Sequence, residues 1–353
     1  MNTRRIFAGL TALSIVLMAL AACAPAPTPT SIPPTAAPTQ AAPTSIPPAV
    51  APTAVPPTTA PTAAPTATTI PPTAAPASVT VTDDANRSVT ITGAPQRIVS
   101  LAPSTTEIAF ALGLGSRVIA VDTYSDYPAA AKNLPKITTF PLNLEQVVAL
   151  KPDLILAAGI QSPDDIKKLA DLKLNVLVIG SVNTTFDSVY SDIALLGKAT
   201  GTDAQAKSIV DAMKQRVAAV AAKIATATTK PNVYWELDST DPSKPYAPGP
   251  GSFINDIITM AGGVNVTANA KSPYAQINAE EIIAANPDII ILSDASYGTT
   301  VDSVKARKGW SVINAVKNNL VFPIDDNLVS RPGPRIVDGL EAAAKLIHPE
   351  LFK

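Results

Sequence analysis

Residues 143–157, NLEQVVALKPDLILA, return as residues 278–292, NAEEIIAANPDIIIL, with Asn, Glu, Ala, Pro, Asp and Ile in the same places. Each copy opens on an Asn able to cap a helix, and Gln146 or Glu281 stands at the third helical position to complete a capping box. Each helix stops at its Pro, which cannot donate within a helix and steers the preceding residue out of the α region. The apolar runs that follow, Leu154 to Ala158 and Ile289 to Leu292, are too short for helices and read as strands buried on both faces. A helix-strand unit written twice predicts two similar α/β lobes. Two lobes leave a cleft, where a small ligand sits.

The same alternation runs through the rest of the chain. SVTVTDD and RSVTIT flank Asp84-Ala85-Asn86 as a hairpin. Arg97 to Pro103 is a strand, Ser104 to Leu114 a helix ended at Gly113 or Gly115, Val118 to Tyr124 a strand, Pro163 to Leu172 a helix, and Val176 to Gly180 a strand. From Thr202, which can cap with Gln205, a helical pattern continues to about Thr226, with Ile209, Met213, Val217, Val220 and Ile224 on its apolar positions. At 1.5 Å per residue it spans roughly 35 Å, the width of a small domain. Asn232 to Asp238 restarts the strands. Strand-helix alternation favours parallel sheets made of βαβ units. The expected fold is therefore α/β, with two lobes of mainly parallel sheets flanked by helices: an N-terminal lobe over 78–201, one long bridging α-helix over 202–227, and a C-terminal lobe over 228–353.

The first 77 residues hold no core. Arg4 and Arg5, the apolar run Ile6 to Leu20 and the small-residue ending Leu20-Ala21-Ala22-Cys23 form a secretory signal over 1–22. That ending resembles the lipobox of bacterial lipoproteins, which implies lipidation of Cys23 and an extracytoplasmic, lipid-anchored protein. Residues 24–77 contain 17 of the 35 prolines and no charged residue, and loosely repeat SIPPTAAPT. This composition predicts a disordered stalk over 23–77, reaching on the order of 170 Å at 3.1 Å per residue when fully extended. A net charge of −1 gives no electrostatic footprint for nucleic acid. With one cysteine no disulfide can form, and with one histidine, His348 beside Pro349 and read as a solvated surface residue, a His-rich metal site is excluded. An α/β hydrolase would show G-x-S-x-G with a usable His, and Gly113 to Gly115 lacks the third glycine of a dinucleotide fingerprint. The chain therefore reads as a binder rather than an enzyme, with no intrinsic cofactor.

The lipobox, RIVSLAP-STTEIAFALG, TYSDYP at Thr123 to Pro128, both helix-strand copies and RPGPRIVDGLEAAAKL at Arg331 to Leu346 occur together. With them, residues 79–349 resemble a substrate-binding protein of an ABC importer. The resemblance is to the helical-backbone cluster that binds cobalamin, ferric siderophores or haem, and most of all to its cobalamin-binding branch. It implies a monomer that hands its ligand to a permease powered by ATPase subunits. It also implies contacting aromatics at Tyr124, Tyr127, Phe140 and Tyr274, with Trp235 and Tyr246 as further candidates. Arg331, near Asp325 and Asp326, becomes an anchor for an anionic group or a cap for its own loop. Ala158 departs from the pattern, which carries a tryptophan there. Glu145 and Glu280, at matching places in the two copies, are implied to meet arginines on the two permease halves.

Overall fold

The computed structural model describes residues 77–181 and 184–353, all within one unit, Ile70–Lys353. The signal, Cys23 and the proline-rich segment up to residue 76 lie outside the described residues. An antiparallel hairpin of β1 (Ser78–Thr82) and β2 (Ser88–Thr92) comes first. The N-terminal sheet is built from β3 (Ile98–Ser100), β4 (Val118–Asp122), β5 (Lys136–Ile137), β6 (Leu154–Ala157) and β7 (Val176–Val178). Its strands are all parallel, in the order β5-β4-β3-β6-β7. In the C-terminal lobe β8 (Asn232–Glu236), β10 (Val264–Asn265), β12 (Ile289–Leu292) and β13 (Val321–Pro323) form a second parallel sheet in the order β10-β8-β12-β13. Between them β9 (Tyr246–Pro248) and β11 (Tyr274–Gln276) make a small antiparallel pair. Among the described residues no helix is long and apolar enough to cross a membrane.

The repeated letters do the same work twice. Strands β6 and β12 each lie beside the first strand of their sheet. Asp153 accepts from the backbone N–H groups of Gln96 (2.7 Å) and Arg97 (2.9 Å) at the start of β3. Asp288 accepts from that of Asn232 (3.0 Å) at the start of β8. Lys151 and Asn286, each just before the repeated Pro, take left-handed φ values of 48° and 45°, which end both helices. The expected capping boxes are only half made. Asn143 accepts from the Gln146 N–H (3.0 Å), yet Gln146 turns its own oxygen to the Thr138 N–H (3.3 Å), because the Asn143 N–H already donates to the Thr138 carbonyl (2.9 Å). Asn278 accepts from Glu280 (3.0 Å) rather than Glu281.

Strand periodicity divides the core into three. Leu154, Leu156, Ile289 and Ile291 face one cluster shared by both lobes, whereas Ile155 and Ile290, one residue on, face separate clusters on the outer sides of the two sheets. The shared cluster is continuous through the bridging helix Asp203–Ile224, which buries Ala206, Met213 and Val220. Its 22 residues span about 33 Å. Thr202 does not cap it by side chain; its hydroxyl pairs with that of Thr200 at 2.9 Å. His348 is not a surface residue either. It is 1 % exposed, with Nε2 3.3 Å from the Gly262 carbonyl and Nδ1 2.9 Å from Glu350, because the final turn folds back onto the glycine pair after the helix Phe253–Met260.

Candidate functional site

In the N-terminal sheet the chain leaves β3 toward β4 on one side and later toward β6 on the other, and open α/β sheets bind ligands outside the carboxyl ends of strands at such a reversal. A cavity of ≈ 400 Å³ lies there, between the lobes. Its N-terminal wall is made by Ala102 and Pro103 after β3, Ala158, Gly159 and Ile160 after β6, and Ile179 and Gly180 after β7. Gly159 is small because two loops touch there. A Cβ on Gly159 would lie 2.7 Å from the Gly180 carbonyl oxygen and 2.9 Å from the Ser181 Cα. The opening hairpin clamps the second loop: Asp84 accepts from the Gly180 N–H (2.6 Å), and Asp83 from the Val178 N–H (3.2 Å).

Facing this wall are Phe253, Tyr274, Tyr297, Asp326 and Arg331 from the C-terminal lobe, with Tyr124 at the N-terminal rim. Tyr124, Tyr274 and Tyr297 are 65 %, 47 % and 79 % exposed, so their rings are not committed to packing. Of the residues expected at the site, Tyr124, Tyr274 and Arg331 line the cavity; Tyr127, Phe140 and Tyr246 are exposed but stand outside its lining. Trp235 corrects the expectation. It is fully buried in the shared core, and its indole N–H donates to Ser293 (2.9 Å), because it occupies the same face of the sheet as its register partner Ile291. Tyr297, Phe253 and Asp192 line the cavity without having been expected. A tyrosine one short turn after the second repeat, like Tyr297, was the one visible signal among them.

Arg331 neither caps its own loop nor stands free. It donates to Asp126 and, at 3.3 Å, to the Tyr124 carbonyl across the cleft, and lies 3.8 Å from Glu107. Arg335, one turn on, makes two bonds to Glu107 (2.9 and 2.6 Å) and stacks its guanidinium 3.8 Å over the Tyr127 ring. Two arginines of the C-terminal lobe are thus tied to two carboxylates of the N-terminal lobe.

Three titratable groups of the cavity are shifted toward their neutral forms. Burial and the neighbouring Asp84 push Asp192 up to about 8. The Asp326 charge and burial raise the Tyr297 phenol, and burial raises that of Tyr274. Among the described residues no group of three or more His, Cys, Asp or Glu is placed to hold a metal. The cavity offers stacking faces and hydrogen-bond groups, and its one guanidinium among the described residues is already paired. Such a site suits a bulky ligand of little net negative charge.

Known proteins share this sequence and fold. An ABC transporter substrate-binding lipoprotein of Bacillus subtilis, YvrC, whose function is uncharacterised, is 38 % identical over 280 residues, covering 78 % of this chain and 87 % of its own length. A possible iron-binding periplasmic solute-binding protein of Staphylococcus epidermidis superposes with a TM-score of 0.64 at 32 % identity, over 72 % of this chain and 99 % of that one. The periplasmic vitamin B12 binding protein of Vibrio cholerae does so with a TM-score of 0.63 at 26 % identity, over 73 % and 98 %. Residues 98–328, which include the cavity walls from Ala102 to Asn327, match the periplasmic binding protein family, and the chain belongs to that family.

Proposed function

We propose that this protein is the solute-binding component of an ABC importer, which captures a corrinoid, cobalamin first, between its lobes and delivers it to a permease and its ATPase subunits. The observation that carries this reading is the charge of the cleft: Arg331 is the only Lys or Arg lining the cavity among the described residues, and it is paired with Asp126. A tricatecholate siderophore or the two propionates of haem would meet Asp326 without a free cation. Cobalamin, rimmed by neutral carboxamides, does not. The relatives named as a possible iron-binding protein and as a vitamin B12 binding protein support the ligand class. At ≈ 400 Å³ the cavity accepts one edge of such a macrocycle, and the exposed rings of Tyr127, Phe140 and Tyr246 are then available to its remainder. A neutral or cationic ferric hydroxamate satisfies the same charge argument and is the second reading, with haem behind it.

Lipidation of Cys23 would hold the protein at the membrane, since two acyl chains give stable attachment where one does not. Glu145 and Glu280, both exposed in the first turns of the two repeated helices, are the matched charges that a two-fold permease would engage. Calorimetric titration of the full-length protein with cyanocobalamin, a ferric trihydroxamate, a ferric tricatecholate and haem tests the reading. Cobalamin binding tightest supports it; tightest binding of the tricatecholate overturns it.

A further inference from the structure

A second pocket of ≈ 620 Å³ opens in the C-terminal lobe at the carboxyl ends of β8 and β12, where that sheet has its own reversal of strand order. Tyr297 lines both this pocket and the main cavity, and its hydroxyl donates to Asp326 on the cavity side (3.1 Å). Asp294, 3 % exposed, lines the pocket. Its Oδ2 accepts from Ser239 (2.7 Å) and Thr299 (2.8 Å). Its Oδ1 is buried and, among the described residues, has no hydrogen-bond partner. A buried carboxylate oxygen lacking a donor is costly, and native proteins rarely leave one.

No neighbouring cation supplies the donor. Arg307, the one arginine in the lining, makes a two-armed pair with the fully buried Glu236 and lies 4.6 Å over the Trp310 ring. Asp238 adds a further carboxylate to the lining. The pocket therefore holds more negative than positive charge and lacks one donor at Asp294.

We propose that this pocket is a subsite for an N–H donor arm, an amide or an ammonium, of the ligand held in the main cleft, with the Asp294 carboxylate as its acceptor after a small turn of that side chain. The inference rests on the cleft reading above. Both candidate ligand classes offer such an arm: a corrinoid through its peripheral carboxamides, a ferric hydroxamate through an ammonium tail. An arm ending in carboxylate would face Asp294 as a second buried anion and be rejected.

Calorimetric titration of the full-length protein tests this with two ligand pairs. One is cyanocobalamin against its isolated monocarboxylate isomers, each with one carboxamide hydrolysed. The other is an ammonium-tailed ferric trihydroxamate against its N-succinylated form. For the pair that binds, one acid-ended form should bind about tenfold or more weakly than its N–H-ended counterpart. Asp294→Asn should reduce that ratio to about threefold or less, with little change for the other isomers. Thr240→Trp, at the exposed rim, should reduce it too, and decides the matter if Asp294→Asn fails to fold. A ratio unchanged in the folded variants overturns the subsite and leaves the cleft reading standing. Binding of neither pair by the parent overturns both, and the cleft reading is then identified as the part that failed.

Discussion

Phe140, in a loop, and Tyr274, the first residue of β11, precede the two repeats, yet only Tyr274 lines the cavity. Stacking on an aromatic ring contributes about 1 kcal/mol beyond area burial. Tyr274→Ala and Tyr124→Ala are therefore each expected to weaken binding of the preferred ligand about fivefold, with Phe140→Ala having less effect. Calorimetric titration checks the order, and equal losses at all three would place the ligand further out than the cavity. Asp192 carries a different expectation. Its carboxyl is raised from 3.8 to about 8 by burial and by Asp84, so between those values the folded chain holds a proton that the unfolded chain has released. Stability must then fall as pH rises through this window, by up to about 1.4 kcal/mol per pH unit, and be unaffected by this group below it. Asp192→Asn should remove that slope. Melting temperatures at pH 5 and pH 8 measure it, and an unaltered difference between them in the variant would mean that Asp192 titrates as an ordinary carboxylate.

The two repeated helix-strand units were legible because each is a local device: an Asn N-cap, a Pro stop and a short apolar run act within a few residues of themselves. Their bounds accordingly agree with expectation, Ile289–Leu292 in full and Leu154–Ala157 to within one residue. The face on which a residue sits was less legible. Trp235 lies in a strand buried on both faces, where apolar pattern cannot distinguish the sides, and only pairing with Ile291 assigns it to the core. The loops that make the cavity wall depend on contact between elements far apart in sequence. Gly159 is the test of that contact. Gly159→Ala must displace the Gly180 carbonyl, and is expected to cost about 1–3 kcal/mol in denaturant unfolding and to weaken ligand binding in the same protein. A variant as stable as the parent would show that the loops after β6 and β7 can separate freely.

One continuous core through the bridging helix, together with the Glu107–Arg335 and Asp126–Arg331 pairs, ties the lobes together. Removing one partner of a buried ion pair leaves the other charge unpaired and costs about 3–5 kcal/mol. Glu107, with its side chain 2 % exposed, pairs with Arg335 and lies near Arg331, so Glu107→Ala should lower stability by an amount in that range and Arg331→Ala by less. Denaturant titration distinguishes them, and parity between the two variants would remove Glu107 from its central place. Glu145 and Glu280 carry the other expectation for the molecule as a unit. Glu145→Ala with Glu280→Ala should leave ligand affinity intact and abolish most uptake by the reconstituted importer, with strong salt dependence in the parent complex. Transport at the parental rate in the double variant would leave both residues with helix stabilisation alone.

Duplication, strand-helix alternation and the long bridging helix were written in local patterns, and from these the two-lobed parallel α/β architecture followed. Folding decided what depends on juxtaposition. It set Arg331 against Asp126 and buried His348 beneath Gly262. It left Tyr297 between two pockets and Asp294 with an oxygen that none of the described residues satisfies. Periodicity records how a residue stands relative to its own helix or strand; charge pairing, burial and cavity walls are set by residues tens to hundreds of positions away, which no local pattern contains.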